Sequence, residues 1–374
     1  MQKINPIFPT DYNSIIEKIN EINPVKYSKT RNFLTGQVTY LSPYISRGVI
    51  STKQVMDIVL KNGFSFFESE KFIQELAWRE FYQKVWQYKK EHIWDDLKQE
   101  QPDVKHYEML SSLINANTGI QIIDEQINRL YETGYMHNHV RMYLASIACN
   151  VGKAHWLKPA KWLYYHLLDG DVASNNCSWQ WVAGSFSSKK YYCNQENINK
   201  YTNTHQTNSF LANSYEHIAN MQLPDSLTTV ATLELPTILP DTKTLSLDLT
   251  KPTLIYNSYN LDPNWRANEN VNRVLLLEPN HFAANPVSEN VVNFIIGLSK
   301  NIPGLQVFVG EMAEILTLYK ETDLEIKDVI ISKEHPAFEY YPGIKDSRDW
   351  MFPSVVGNFS SFFIFWKQCV QSIK

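Results

Sequence analysis

The chain reads as an α plus α/β protein: a helical domain followed by a smaller Rossmann-like α/β domain. Three observations predict this. Apolar residues recur at helical spacing through 49–60, 71–88, 121–131 and 135–151. Residues 206–250 lose that period, are rich in Thr, Ser, Asn, Leu and Pro, and are punctuated by Pro224, Pro236 and Pro240. From 251 onward, short apolar runs alternate with helical stretches, as in βα units that build a parallel sheet. The expected organisation is therefore a helical domain over 1–205, a linker over 206–250 and an α/β domain over 251–374. A length of 374 residues is enough for two separate cores.

Local signals place the elements. Ser42-Pro43 predicts a helix start, with Ser as the cap and Pro at the first helical position. Ile50-Ser51-Thr52 predicts a break and a second cap. Strands are expected at Thr253–Tyr256, Arg273–Leu277, Gln306–Val309 and Asp328–Ile331, and helices at 288–300 and 311–320.

Composition narrows the class. Apolar content of 44% and charged content of 20% are ordinary for a globular chain, whereas a 13% aromatic share with ten Trp is high. Such a share serves large cores or aromatic cofactor and nucleobase sites. The net charge of −4 is uneven: residues 1–200 carry 23 Lys+Arg against 20 Asp+Glu, and residues 201–374 carry 12 against 19. A polyanion would meet the first half. Cys149, Cys177, Cys193 and Cys369 have no CxxC spacing, which argues against zinc or a disulfide framework and for reduced thiols in a cytoplasmic setting. Residues 1–10 lack a signal-peptide apolar core, and no apolar run is long enough to span a membrane.

Four segments concentrate chemistry. Asp169-Gly170-Asp171-Val172-Ala173-Ser174-Asn175-Asn176-Cys177-Ser178-Trp179-Gln180-Trp181 combines two carboxylates, two adjacent carboxamides and two indoles. Carboxylates and carboxamides can bracket a polar heteroaromatic ring. The same string is also a turn and helix-cap signal. Gly36 to Tyr44 places hydroxyls before a helix whose free N–H groups can hold a diphosphate, or can simply be capped. On a helix, Glu75, Trp78, Arg79 and Tyr82 share one face, which fits either a polar aromatic pocket or a surface ion pair. In Gly134 to Met142, Asn138 and Met142 lie together with Arg141 on the adjoining edge, while His137 and His139 cannot face one another, so a metal site is not expected. Trp156, Trp162, Trp179 and Trp181 fit a core as well as a redox wire.

These segments resemble, in the same order, the FAD-binding domain of the photolyase/cryptochrome family. Gly36 to Ile45 resembles G-T-S-x-L-S-P-Y-L, with Gln and Val inserted near the glycine. Glu75 to Tyr82 resembles E-L-x-W-R-E-F-Y, Thr133 to Met142 resembles T-G-W-M-H-N-R-x-R-M, and Asp169 to Trp181 resembles D-G-D-x-A-x-N-N-x-x-W-Q-W. The resemblance covers about residues 25–200 and implies an all-helical FAD-binding photolyase-like domain.

It also implies roles. Tyr27, Thr39, Tyr40, Leu41 and Ser42 match positions that hold the flavin and its phosphates, and Arg79 matches a residue flanking the cofactor. Arg141 and Asp169 match an ion pair beside the isoalloxazine, Asp171 a second acid near its pyrimidine end, and Asn175 the carboxamide next to flavin N5. Glu75, Trp78, Asn138, Met142 and Trp181 match the pocket for a cyclobutane pyrimidine dimer. Trp179 and Trp156 match the first two members of an electron-transfer chain. The third member has no clear counterpart; Tyr107 and Trp94 are the candidates. Cys177-Ser178 replace a common Gly-Gly, and Phe186 to Tyr192 departs from the family's continuation.

The implied function is light-driven repair of cyclobutane pyrimidine dimers in DNA, with reduced FAD as the active cofactor. Two alternatives stay open. One is a cryptochrome-type blue-light receptor that signals to a protein partner. The other is a flavin-binding structural or interaction module. Glu75, Trp78, Asn138 and Met142 favour repair, whereas the small positive charge and the missing third Trp favour sensing. Gly310 to Leu316 resembles the G-D-P-x-x-V-L of the family's antenna domain, and Phe362 to Lys367 its closing F-x-x-F-W-K. Together they imply a circular permutation with 206–250 as the reconnecting linker, a generic α/β domain of another role being the alternative; the antenna pigment is left open.

Overall fold

The computed structural model describes residues 8–242, 244–320 and 325–373. The opening residues 1–7, part of the stretch read for a signal peptide, lie outside the described residues. The chain forms two compact units. Their boundaries correct the expected ones. The first gathers residues 23–39 and 67–235; the second gathers 8–22, 40–66 and 236–373.

The first unit is helical. Its main helices are Pro24–Thr30, the long Phe66–Lys89 (from residue 67 onward), Gln121–Thr133, Asn138–Ala145, Leu157–His166, Val172–Ala183 and Gln195–Thr202. The predicted period over 135–151 is met by Asn138–Ala145 running into a π-helical turn, Ser146–Val151. One core joins those from Gln121 onward. It includes Ile123, Ile127, Leu130, Tyr143, Leu144, Trp156, Trp162, Leu163 and Trp179, all buried.

Residues 206–235 are no linker. Leu211, Ile218 and Leu227 are buried in that same core. The two-residue strand β2 (Val230–Ala231) pairs antiparallel with β1 (Met109–Leu110). The leucines and Ile218 that made this stretch look aperiodic are isolated anchors for a wrapping segment, a pattern with no helical or strand repeat to detect.

The second unit carries a five-stranded, fully parallel sheet of order β5-β4-β3-β6-β7. The strands are β3 (Thr253–Tyr256), β4 (Asn272–Leu277), β5 (Leu305–Val309), β6 (Ile330–Lys333) and β7 (Ile344–Asp346). The order reverses between β3 and β6, as in doubly wound Rossmann-like sheets. Three strands fall where the apolar runs place them. β6 starts two residues late because Ile326–Val329 forms a helical turn first. β7 was missed because it is a short edge strand, Ile-Lys-Asp, without an apolar run. Helices Glu289–Ser299 and Met312–Leu318 fill the expected positions.

Segments 8–22 and 40–66 join this unit through specific polar contacts. Asn301 accepts from the Tyr12 N–H at 2.9 Å and donates to the Thr10 carbonyl at 2.6 Å. The Leu261 N–H donates to the Arg47 carbonyl at 3.0 Å. Asp11 caps Tyr12–Asn20 and Ser51 caps Thr52–Lys61, the latter as the sequence predicts. Ser42 does not cap: it is the first residue of the five-residue helix Ser42–Ser46, and Leu41 at the cap position makes no side-chain cap bond. Residues 236–250 run along the same unit. The Val309 N–H donates to the Thr242 carbonyl at 2.7 Å, and Leu245, Leu247 and Leu249 pack on its core.

Gly48 sits at φ +63, and a Cβ there would lie 2.3 Å from the Tyr259 carbonyl oxygen. Gly48→Ala is expected to destabilise the second unit by about 1–3 kcal/mol, from backbone strain and overpacking. Denaturant unfolding monitored with a probe confined to that unit checks this; an unchanged midpoint would contradict the close approach.

Candidate functional site

The site grows from the turn between helices Leu157–His166 and Val172–Ala183. Asp171 has extended backbone and caps the second helix: its Oδ1 accepts from the Ser174 N–H at 2.8 Å. Its Oδ2 accepts from Gln83 Nε2 at 2.6 Å and from Arg79 Nη2 at 3.2 Å. Arg79 and Gln83 stand four apart on helix Phe66–Lys89 and so share one face. Asp171 is almost wholly buried, and its three partners stabilise its charge there.

Two residues earlier, Asp169 turns to another helix. Its two carboxylate oxygens accept from Arg141 Nη2 at 3.0 and 2.9 Å. Arg141 Nε donates to the Met136 carbonyl at 2.8 Å, and its guanidinium carbon lies 5.7 Å from the Tyr135 ring centroid. Asn175 stands one turn into helix Val172–Ala183, where its carboxamide nitrogen donates to the Ala160 carbonyl at 2.9 Å. Burial, then the Asp171 carboxylate, pushes the Cys177 thiol up, so it stays protonated.

The structure thus pairs Arg79 with Asp171 and Arg141 with Asp169 at the turn that opens helix Val172–Ala183, and places Asn175 one turn into that helix. Tyr27 belongs to the same unit, on helix Pro24–Thr30, with its ring edge-on to Phe72 at 5.1 Å. Thr39 is the last residue of that segment, and Tyr40, Leu41 and Ser42 belong to the other unit.

Of the residues matched to the dimer pocket, Trp78 and Glu75 are half-buried on the helix that carries Arg79. The Trp78 ring packs on Phe81 at 5.8 Å and Tyr82 at 5.4 Å. Glu75 is held by Arg31 at 2.8 Å and Lys71 at 3.4 Å. Asn138 is exposed at the first position of its helix, and Met142 one turn on packs against the core. Trp181 is 40% exposed, with its ring 5.9 Å from Tyr191. Trp179 and Trp156 are buried in one core cluster.

Sequence reading missed Gln83 and Arg31. Gln83 was detectable, since it lies one helical turn from Arg79. Arg31 was not, because it reaches Glu75 from a different helix.

His137 caps helix Asn138–Ala145, its Nδ1 accepting from the His139 N–H at 3.2 Å. Burial, then the neighbouring His139 and Arg141, lowers the His137 pKa to about 4. Burial, then Arg31, does the same to His139, also to about 4. The unfolded chain takes up these protons near pH 6.5, before the folded one does, so stability falls as pH drops from 6.5 towards 4. His137→Asn keeps a cap and removes one titrating ring. Thermal midpoints across pH 4–7 are expected to show a shallower decline for this variant, and an identical slope would remove His137 from the acid response.

Asp171→Asn keeps the cap but loses the charge facing Arg79, whereas Asp171→Ala loses both. The Ala variant is expected to be less stable than the Asn variant by about 1 kcal/mol, the usual worth of an N-cap. Equal unfolding midpoints would show that the cap contributes nothing.

The two guanidinium–carboxylate pairs at this turn and the carboxamide one helical turn on are groups of the kind that can bracket an isoalloxazine, whose edge carries both an N–H donor and carbonyl acceptors. Comparison with known proteins points the same way. Residues 72–217 match the family model for the FAD binding domain of DNA photolyase. A deoxyribodipyrimidine photo-lyase of Buchnera aphidicola subsp. Baizongia pistaciae is 29% identical over 226 residues, covering 52% of this chain and 46% of that protein. The Agrobacterium fabrum protein of the same name is 32% identical over 165 residues, covering 42% of this chain and 34% of its own length. This chain therefore spans less than half the length of these curated relatives. A solved Synechocystis cryptochrome aligns over 53% of this chain and 44% of its own, at 22% identity and a TM-score of 0.48.

Proposed function

The chain belongs to the photolyase/cryptochrome family through its FAD-binding domain, and from that premise we propose that it is an FAD-dependent DNA photolyase acting on cyclobutane pyrimidine dimers. The observation that carries this reading is the Asp169–Asp171 turn, whose carboxylates fix Arg141 and Arg79 on two other helices, with Asn175 one turn further along the helix that the turn opens. Arg79, Arg141, Asp169, Asp171 and Asn175 would hold the flavin ring, with Tyr27 and, towards its phosphates, Thr39 from the same unit.

Bound reduced FAD supplies one-electron chemistry under blue light. The chain's own residues do the rest. Arg141, anchored by Asp169 and the Met136 carbonyl, keeps a fixed positive charge that favours an anionic ring. Asp171 holds Arg79 in place and completes the helix cap, so the site needs no reorganisation when charge moves. Asn175 offers a carboxamide tied at one end to the Ala160 carbonyl. Trp78 and the partly exposed Trp181 would form the walls for a flipped dimer. Glu75 and Asn138 would meet its polar edges, and Met142 would pack on its apolar face.

A second reading, a blue-light receptor without repair, is favoured by one observation: Glu75 already pairs with Arg31 at 2.8 Å. The two readings part in one experiment. Purified, flavin-loaded protein is illuminated under reducing conditions with oligothymidine containing dimers, and dimer loss is followed chromatographically. Dimer loss supports repair; a yellow protein that leaves dimers intact sinks it. Trp181→Ala is expected to weaken dimer binding by about 1–3 kcal/mol, the worth of stacking on one base. Titration by fluorescence anisotropy checks this, and unchanged affinity would remove Trp181 from the pocket.

A further inference from the structure

Lys345 lies on β7, an edge strand of the second unit's sheet, directly opposite Ser332 of β6. Its Nζ donates to the buried Ser332 Oγ at 3.1 Å and to the Phe338 carbonyl at 3.0 Å. It also sits 5.2 Å from the ring centroid of the buried Tyr341. Both hydrogen-bond acceptors are neutral, and among the described residues no ion pair reaches this amine. The residue is nonetheless exposed on its edge strand. We propose that Lys345 is a modification site, a nucleophilic amine that accepts an acyl group from small activated acyl donors.

Other lysines of the unit are held differently. Lys333, next after Ser332 on β6, pairs with Asp262 at 2.8 Å, and Lys251 pairs with Asp248 at 2.8 Å. A carboxylate partner keeps an ammonium charged. Lys345 has a hydroxyl and a carbonyl instead, which accept from a neutral amine as well as from an ammonium. A neutral amine has two N–H bonds to give, one for each acceptor, and its lone pair is left over. The cradle therefore holds the reactive form without using up the atom that reacts.

The charges around the amine agree with this. Burial lowers its pKa to about 8, against the Glu339 carboxylate, which raises it from beyond ion-pair distance. Tyr341 stays a neutral phenol, because burial and then the Glu278 charge raise it. Asp346, next on β7, is turned to Arg266 and the Trp265 indole N–H. Lys327 and Asp328, on the helical turn before β6, do not perturb the amine. At pH 7.5 roughly a quarter of such an amine is neutral, against about one part in a thousand for an ordinary lysine. The neutral form is the one that attacks an acyl carbon.

The step is a substitution at that carbon. The Nζ lone pair forms a bond to it, and the bond from it to a phosphate oxygen or a thiol sulfur breaks. The phosphate or thiol leaves with the electron pair, and the amine proton passes to water. The amide so formed has one N–H and no charge. It can serve only one of the two acceptors, and the cation beside Tyr341 is gone. Acylation would therefore loosen the turn Pro336–Phe338 from β7 and weaken that edge of the sheet.

The test treats the purified full chain with limiting acetyl phosphate or, in a second arm, with a small acetyl thioester. Acetylation at each lysine is followed by peptide mass spectrometry from pH 7 to pH 9.5. At pH 7.5 Lys345 is expected to react at least about tenfold faster than the exposed Lys61 and Lys300, because far more of it is neutral. Its rate is expected to level off above about pH 8. The arm that labels it faster identifies the acyl source. Equal rates at Lys345 and Lys300 in both arms overturn the proposal, as does a Lys345 rate that climbs steadily to pH 9.5. Ser332→Asp sets a carboxylate opposite the amine and is expected to bring its rate down to that of Lys300. An undiminished rate would overturn the role of the neutral cradle. The wild-type pH profile needs no variant, so the test stands even where Ser332→Asp fails to fold. Lys345→Gln, which copies the loss of charge, is expected to unfold at lower denaturant than Lys345→Arg. Equal midpoints overturn the loosening of the sheet edge.

Discussion

The helical unit's polar site depends on one constraint: two carboxylates two residues apart must each find a cation away from water. Asp169 takes Arg141 from one helix, and Asp171 takes Arg79 from another while capping its own. Burying either carboxylate unpaired would cost several kcal/mol, so the turn fixes the mutual placement of three helices. Gly170 permits this tight geometry, since a Cβ there would lie 3.0 Å from the carbonyls of both Leu167 and Tyr164. Pairs of this kind need not add net stability, but removing one partner is expensive. They therefore act mainly as a geometric restraint on the helices that carry Arg79, Arg141 and Asn175.

Much of this site was legible because its parts are short-range. The cap at Asp171 follows from the residue type and its place before Val172. The shared face of Glu75, Trp78, Arg79 and Tyr82 follows from the 3.6 period, and the same rule would have added Gln83. The Arg31–Glu75 pair was hidden because it joins separate helices. Unit membership was hidden for the same reason. An amphipathic helix such as Thr52–Lys61 declares that one face is buried, but not what buries it. Residues 8–22 and 40–66 precede the helical motifs in sequence, yet their anchoring bonds run to Asn301, Leu261 and Ser258. Such contacts, more than two hundred residues apart, leave no local periodicity.

The second unit shows the complementary case, where the pattern of strands was read well and the polar interior was not. Glu278, at the carboxyl end of β4, is buried and accepts from the Met312 N–H at 3.1 Å, Tyr340 at 2.5 Å and Tyr341 at 2.6 Å. Burial, then the Glu278 charge, raises both phenols, so they remain donors. This network ties β4 to helix Met312–Leu318 and to the segment following β6. A parallel sheet buried on both faces needs such locks at its strand ends, where backbone groups leave the ladder. The Gly310–Leu316 resemblance falls on this junction: Gly310 follows β5, and Glu311 and Glu314 form a reciprocal capping box. That arrangement is demanded by strand-to-helix geometry alone, so the match there carries less functional weight than the Asp169–Trp181 segment.

The weight to give the Glu75–Arg31 pair is an electrostatic question. Its side chains are 27% and 21% exposed, which places the pair near water. Pairs in such settings contribute roughly 0–1 kcal/mol, because solvent screens the attraction and two long side chains must be ordered. Under the proposed repair reading, a pyrimidine base beside Trp78 would exclude that water and offer a donor or acceptor to the carboxylate. Losing a weak screened contact to gain a desolvated one is a small step. The pair is thus compatible with a repair pocket in its resting state. Only a Glu75 held in a dry, fully satisfied network would close the pocket, and its half-exposed position is the opposite of that.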